Sequence, residues 1–134
     1  MTMLQLEVGK VMKYYSEITG WGKDALFFLE DSEANFIIIF NDTAPPELAE
    51  ISVLHTQSKL FLPPKVDDVM IIGEKAFTIT AVGEEAIHTL AELGHCTLCF
   101  KGAAEPDRPG CIMLQGDEPL LEADIKVGTT IEIH

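Results

Sequence analysis

Short apolar runs dominate the hydrophobic pattern of this chain, and most are too short for helices. "LQLEVGKVM" alternates Leu4, Leu6 and Val8 with polar residues. "ALFFLE" (25–30) and "NFIIIFND" (35–42) are compact apolar runs bounded by polar or turn residues. Their length and β-branched content predict buried strands. "ISVLHTQ" (51–57) and "KLFLPP" (59–64) add two more, the second stopped by Pro63-Pro64. "VMIIGEKAFTITAVG" predicts a hairpin: Val69 to Ile72, a turn at Gly73-Glu74-Lys75, then Phe77 to Val82. "CTLCF", "CIMLQG" and "TTIEI" complete the strands.

Two stretches carry helical signals. "PPELAE" opens on two prolines, which suit a first turn, and Asp42 and Thr43 both offer N-cap side chains. "EEAIHTLAELG" presents an apolar stripe of Ala86, Ile87, Leu90, Ala91 and Leu93. Glu84 and Glu85 favour its N-terminus, and Gly94 is a natural stop. The pattern predicts a mainly β fold: a single-domain β-barrel or barrel-like sandwich over 1–134. It has one clear helix (about 84–93) and a short helical turn (about 45–50). The strand–helix–strand passages 36–55 and 77–100 suggest a weak internal equivalence. "KGAAEPDRPGC" is a loop rich in proline and glycine.

Charge narrows the function classes. The net charge is −13, from 22 acidic and 9 basic residues, with no Lys/Arg cluster. Such a field repels nucleic acid and anionic membrane surfaces and favours a protein partner with a basic patch. No segment has the basic start and long apolar run of a signal peptide, or the roughly 20 apolar residues of a spanning helix. The three cysteines are therefore expected as reduced thiols in the cytoplasm. Cys96 and Cys99 form C-x-x-C inside a strand pattern. Strand residues i and i+3 face opposite sides, so the pair does not chelate one ion. P-loop, dinucleotide and serine-hydrolase motifs are all absent.

Four histidines remain. His134 is the last residue, and His88 lies between Glu84 and Glu92 on a helix face, where a solvated pairing explains it. His95 follows the helix stop; it fits a helix C-terminal cap or a second histidine near a site. His55 ends a strand and leads into Thr56, Gln57 and Ser58. Neutral imidazole is a competent nucleophile at neutral pH, and the three polar neighbours offer donors for phosphate oxygens. The local sequence leaves two readings of His55: a satisfied strand-end histidine and a nucleophile.

"TAVGEEAIHTLAELGHCTLCFKG" (80–102) resembles the most distinctive segment of the glucitol/sorbitol-specific enzyme IIA component of the bacterial phosphotransferase system. The resemblance rests on A-V-G, a helix ending in L-x-E-L-G-H, a strand T-L-x-F, and Pro109-Gly110 in the following loop. "FNDTAPPELAEISVLH" (40–55) is similar to the family's histidine segment. The likeness spans residues 36–134.

The resemblance places the phosphorylated histidine at His55. It implies a phosphoryl carrier that accepts phosphate from the phosphocarrier protein HPr. The group then passes to the IIB component of a membrane-bound IIB/IIC permease, reached from the cytoplasm, during sugar-alcohol uptake. No cofactor is implied. The family pattern includes a second histidine two residues on, where this chain has Gln57, so His95 becomes the candidate second histidine. Attack through Nε2 requires Nδ1 to be fixed by a partner; Glu47, Glu50 and a backbone carbonyl are the candidates. Thr56, Gln57 and Ser58 are candidate phosphate-stabilising residues. The competing reading is a non-enzymatic small β-barrel that binds a ligand or acts as an adaptor.

Overall fold

The computed structural model describes residues 11–134. Eight strands close into a barrel in the order β1-β3-β2-β6-β7-β5-β4-β8. They are β1 (Tyr14–Trp21), β2 (Phe36–Asn41), β3 (Val53–His55), β4 (Val69–Ile72), β5 (Lys75–Val82), β6 (Cys96–Cys99), β7 (Cys111–Gln115) and β8 (Thr130–Ile133). β2 runs parallel to β3 and β6 parallel to β7; every other pairing is antiparallel. Closure leaves no edge strand among the described residues.

Alternation fills the interior. Tyr14 and Ile18, Ile37 and Ile39, Leu98, Ile112 and Leu114, and Ile131 and Ile133 join one buried cluster. Intervening residues point outward. On β5, β6 and β7 the outer face carries a second small cluster of Ala81, Cys99, Cys111 and Met113. Cys96 belongs to the interior cluster and Cys99 to the outer one, so the C-x-x-C pair is split by the sheet.

The two helices fall where the sequence puts them: α1 at Pro46–Ala49 and α2 at Glu84–Leu93. α2 buries Ala86 and Leu90 against the barrel. Its first turn is anchored by backbone bonds from Glu85 and Ala86 to the Pro109 carbonyl oxygen, at 2.9 and 3.0 Å. Gly94 ends it in the left-handed region, φ 61°, with its amide donating to Leu90 and the His95 amide to Thr89. No helix among the described residues is long and apolar enough to cross a membrane.

Several expected elements differ. "ALFFLE" forms consecutive turns, with Ala25, Phe27 and Leu29 each bonded to the carbonyl three residues back. Only Ala25 and Leu29 are buried there, a helical spacing rather than an alternating one. "KLFLPP" joins no ladder; Pro63 and Pro64 lack the donors a ladder needs, and Phe61 and Leu62 stay exposed. α1 is preceded by Pro45 without a side-chain cap, and the Thr43 amide is held instead by Asn41 Oδ1 at 3.0 Å. A 3-10 turn at Glu122–Asp124 is an addition. The suggested equivalence fails: β2 and β3 are parallel neighbours, whereas β7 separates β5 from β6. Leu4, Leu6 and Val8 lie outside the described residues.

Several elements converge at one end of the barrel. β2 and β3 finish together there, with Asn41 beside His55. β6 starts at the same rim, where Cys96 pairs with Ile39. The chain reaches β6 directly from the C-terminal cap of α2, so that cap sits over the mouth.

Candidate functional site

His55 occupies the barrel mouth. Val53 and His55 are buried while Leu54 faces outward, so the imidazole points inside. Ile18 of β1 and Asn41 of β2 flank it in register. The side chain is 0% exposed. The Tyr14 ring meets it edge-on, with centroids 6.1 Å apart and planes at 78°.

Both ring nitrogens face backbone carbonyls. Nδ1 is 2.9 Å from the Thr56 oxygen and Nε2 is 2.7 Å from the Gly94 oxygen. A carbonyl oxygen only accepts, so each contact calls for an N–H. Neutral imidazole has one N–H and imidazolium has two. Burial nevertheless holds His55 below the ordinary histidine value; the two carbonyls and the Asp42 charge oppose that shift without overcoming it. The neutral ring therefore keeps one good hydrogen bond and one strained contact. A lone pair on either nitrogen is poised to be used once its carbonyl moves.

Gly94 touches this ring. A Cβ at position 94 would lie 2.7 Å from His55 Cε1, 3.0 Å from Nε2 and 3.2 Å from Asn41 Cβ. Glycine is thus required twice, by the left-handed backbone and by the imidazole beneath it. Its neighbour His95 is half-buried. The His95 ring packs on Phe40 at 4.7 Å, and its Nδ1–H donates to the Ile39 carbonyl oxygen at 3.2 Å. His95 thereby pins the residue that covers His55.

The expected site residues divide. The Thr56 carbonyl fixes the His55 ring, while its hydroxyl oxygen accepts from the Glu17 amide at 3.0 Å. The Ser58 hydroxyl donates to the Tyr15 carbonyl. The Gln57 side chain is exposed. Of the three candidates for orienting Nδ1, a backbone carbonyl takes the place; Glu50 instead approaches Lys23 at 3.9 Å. His88 is exposed on α2, and His134 contacts Glu132 at 2.9 Å. Tyr14, Ser16 and Asn41 were not expected at the site. The signal for Tyr14 and Ser16 was the alternation of "YYSEITG", obscured by the polar residues interleaved with the inward ones; Asn41 continues the inward alternation of Ile37 and Ile39 on β2.

Comparison with known proteins points in one direction. Residues 13–132 match the family model described as PTS system glucitol/sorbitol-specific IIA component. The PTS system glucitol/sorbitol-specific EIIA component of Escherichia coli (strain K12) is 33% identical over 123 residues, covering 90% of this chain and 94% of that protein. Its Shigella flexneri counterpart matches to the same extent. Among solved structures, the crystal structure of the PTS system IIA component from Enterococcus faecalis V583 superposes with a TM-score of 0.67 at 27% identity. That match covers 87% of this chain and 96% of the other.

Proposed function

We propose that this chain, which belongs to the PTS glucitol/sorbitol-specific IIA component family, carries a phosphoryl group on His55 between phospho-HPr and the IIB component of a sugar-alcohol permease. It acts as a single IIA domain in the cytoplasm and meets the membrane-bound IIB/IIC components from that side. The observation that carries this reading is the bracketed imidazole: a buried histidine at the barrel mouth with both nitrogens against backbone carbonyls.

The chemistry follows from that bracket. Nδ1–H stays on the Thr56 oxygen, which fixes the tautomer and leaves the lone pair on Nε2. That lone pair attacks the phosphorus of the donor phosphohistidine in line. The donor's phosphorus–nitrogen bond breaks and its electron pair returns to the donor nitrogen, so no net proton moves. Positioning and charge stabilisation carry most of the catalysis in such transfers. The Gly94 oxygen occupies the approach to Nε2, so the covering cap must swing aside before phosphorus reaches the nitrogen. Transfer to IIB reverses the sequence, with a IIB cysteine thiolate as the new nucleophile. His95 is the second histidine of the site, beside the cap. Thr56, Gln57 and Ser58 lie next to the emerging phosphoryl group.

The test is incubation with phosphoenolpyruvate, enzyme I and HPr. One acid-labile, base-stable phosphoryl group per chain is expected, and His55→Ala should take none. Wild type that stays unlabelled, or His55→Ala labelled equally, overturns the reading and leaves an adaptor or ligand-binding barrel.

A further inference from the structure

Two hydroxyls inside the barrel have no protein partner among the described residues: those of Tyr14 and Ser16. Both residues are fully buried. Hydroxyls in that condition are uncommon because each loses its water without compensation. Phenylalanine at position 14 and alanine at 16 would fill the same space without that cost.

Their location gives them a use. Tyr14, Ser16 and Ile18 share the interior face of β1, and Ile18 pairs with His55. Ser16 therefore sits diagonally across from His55, and Tyr14 lies one step nearer the rim. The Tyr14 ring already touches the imidazole edge. A phosphoryl group on His55 brings oxygens that only accept hydrogen bonds. The Ser58 hydroxyl proton is committed to the Tyr15 carbonyl. The Thr56 hydroxyl oxygen is held against β1 by accepting from the Glu17 amide, which leaves its proton free to donate as well. Burial and the nearby Cys96 thiol push the Tyr14 phenol upward, so it remains O–H.

We propose that the Tyr14 and Ser16 hydroxyls donate to the phosphoryl oxygens on His55 and are catalytic residues of the transfer. The inference rests on His55 being the phosphoryl carrier. It explains why two unpartnered hydroxyls persist at this position in the resting state: their partner arrives with phosphorylation.

Tyr14→Phe and Ser16→Ala separate this from a structural role. Each variant is compared with wild type and His55→Ala for loading from phosphoenolpyruvate, enzyme I and HPr, for the phosphohistidine 31P resonance, and for melting temperature. Both should melt at or above wild type, because each removes an unpartnered polar group. Both should load more slowly, by roughly ten- to hundredfold for Tyr14→Phe, with a displaced 31P resonance. If wild type loads on His55 while both variants load at its rate with an unchanged resonance, the hydroxyls serve only a buried water and the inference is wrong. Slow loading matched by a lower melting temperature also overturns it, since packing then explains the loss. Wild type that fails to load, or His55→Ala that loads, defeats the carrier reading itself and this inference with it.

Discussion

The carbonyl oxygen of Gly94 lies 2.7 Å from Nε2 of His55, and a methyl group at position 94 would lie 2.7 Å from Cε1 of the same ring. The end of α2 and the imidazole are therefore one packing unit. Whatever moves the helix cap uncovers the ring, and whatever enlarges the cap disturbs it. Helix termination and access to the His55 ring are coupled through a residue with no side chain.

Gly94→Ala tests that coupling. The left-handed backbone costs a non-glycine residue about 1–2 kcal/mol, and the contact with the ring adds to it. The variant should melt several degrees below wild type. Removing the ring should relieve part of the loss. Gly94→Ala in a His55→Ala background is expected to cost less than in wild type. Equal costs in the two backgrounds would show that the ring and the cap are energetically independent.

The pH dependence of stability follows from the burial of His55. Its folded-state pKa is lowered from 6.5, mainly by desolvation. The unfolded chain thus takes the proton first as pH falls. The stability tied to the neutral ring is complete above that unfolded value and is lost as pH drops through the folded one. Between about pH 7.5 and about pH 5, wild type should lose more melting temperature than His55→Gln. The three other histidines are common to both proteins and cancel. The opposite ordering would mean that the Thr56 and Gly94 carbonyls outweigh desolvation.

Alternation and helix signals made the barrel and α2 legible, because β4, β5 and β7 carry dense apolar residues and α2 has a clean stripe and stop. β1 was not legible: Tyr14, Ser16 and Ile18 face inward, but two of the three are hydroxylic and one of those is small. "ALFFLE" misled because an apolar run specifies burial and not backbone shape; the turns there bury Ala25 and Leu29 and leave Phe27 three-quarters exposed, at 75%. At the site, His55 and His95 stood out as residue types. Their relation did not, because it passes through the Gly94 carbonyl, and a backbone atom contacting a residue 39 positions away leaves no mark in composition.

The thiols give a prediction about the fold. Cys96, Cys99 and Cys111 are buried, and burial raises the pKa of each. Thiolate is the reactive form, so all three should resist an aromatic disulfide reagent in the native protein and react fully in denaturant. Cys99 and Cys111, on the outer cluster beneath the 101–110 loop, should precede Cys96, which faces the interior. Rapid native labelling of Cys96 would contradict a closed barrel.

His95 supplies the last prediction. Its ring packs on Phe40 and its Nδ1–H is engaged by the Ile39 carbonyl, so one ring face and one nitrogen have structural partners. The residue before it covers His55. Removing the ring in His95→Ala frees the cap that covers the His55 ring. If His55 is the carrier, it should still accept the phosphoryl group, at a rate reduced severalfold, the loss expected from one aromatic stacking contact. His95→Phe then divides the two roles. Phenylalanine keeps the stacking on Phe40 but has no nitrogen. If His95 anchors the cap, His95→Phe should recover most of the lost rate. If its free nitrogen handles phosphate or proton, His95→Phe should transfer as slowly as His95→Ala while melting near wild type. The packing favours the anchor, and the comparison of rate with melting temperature across the two variants decides it.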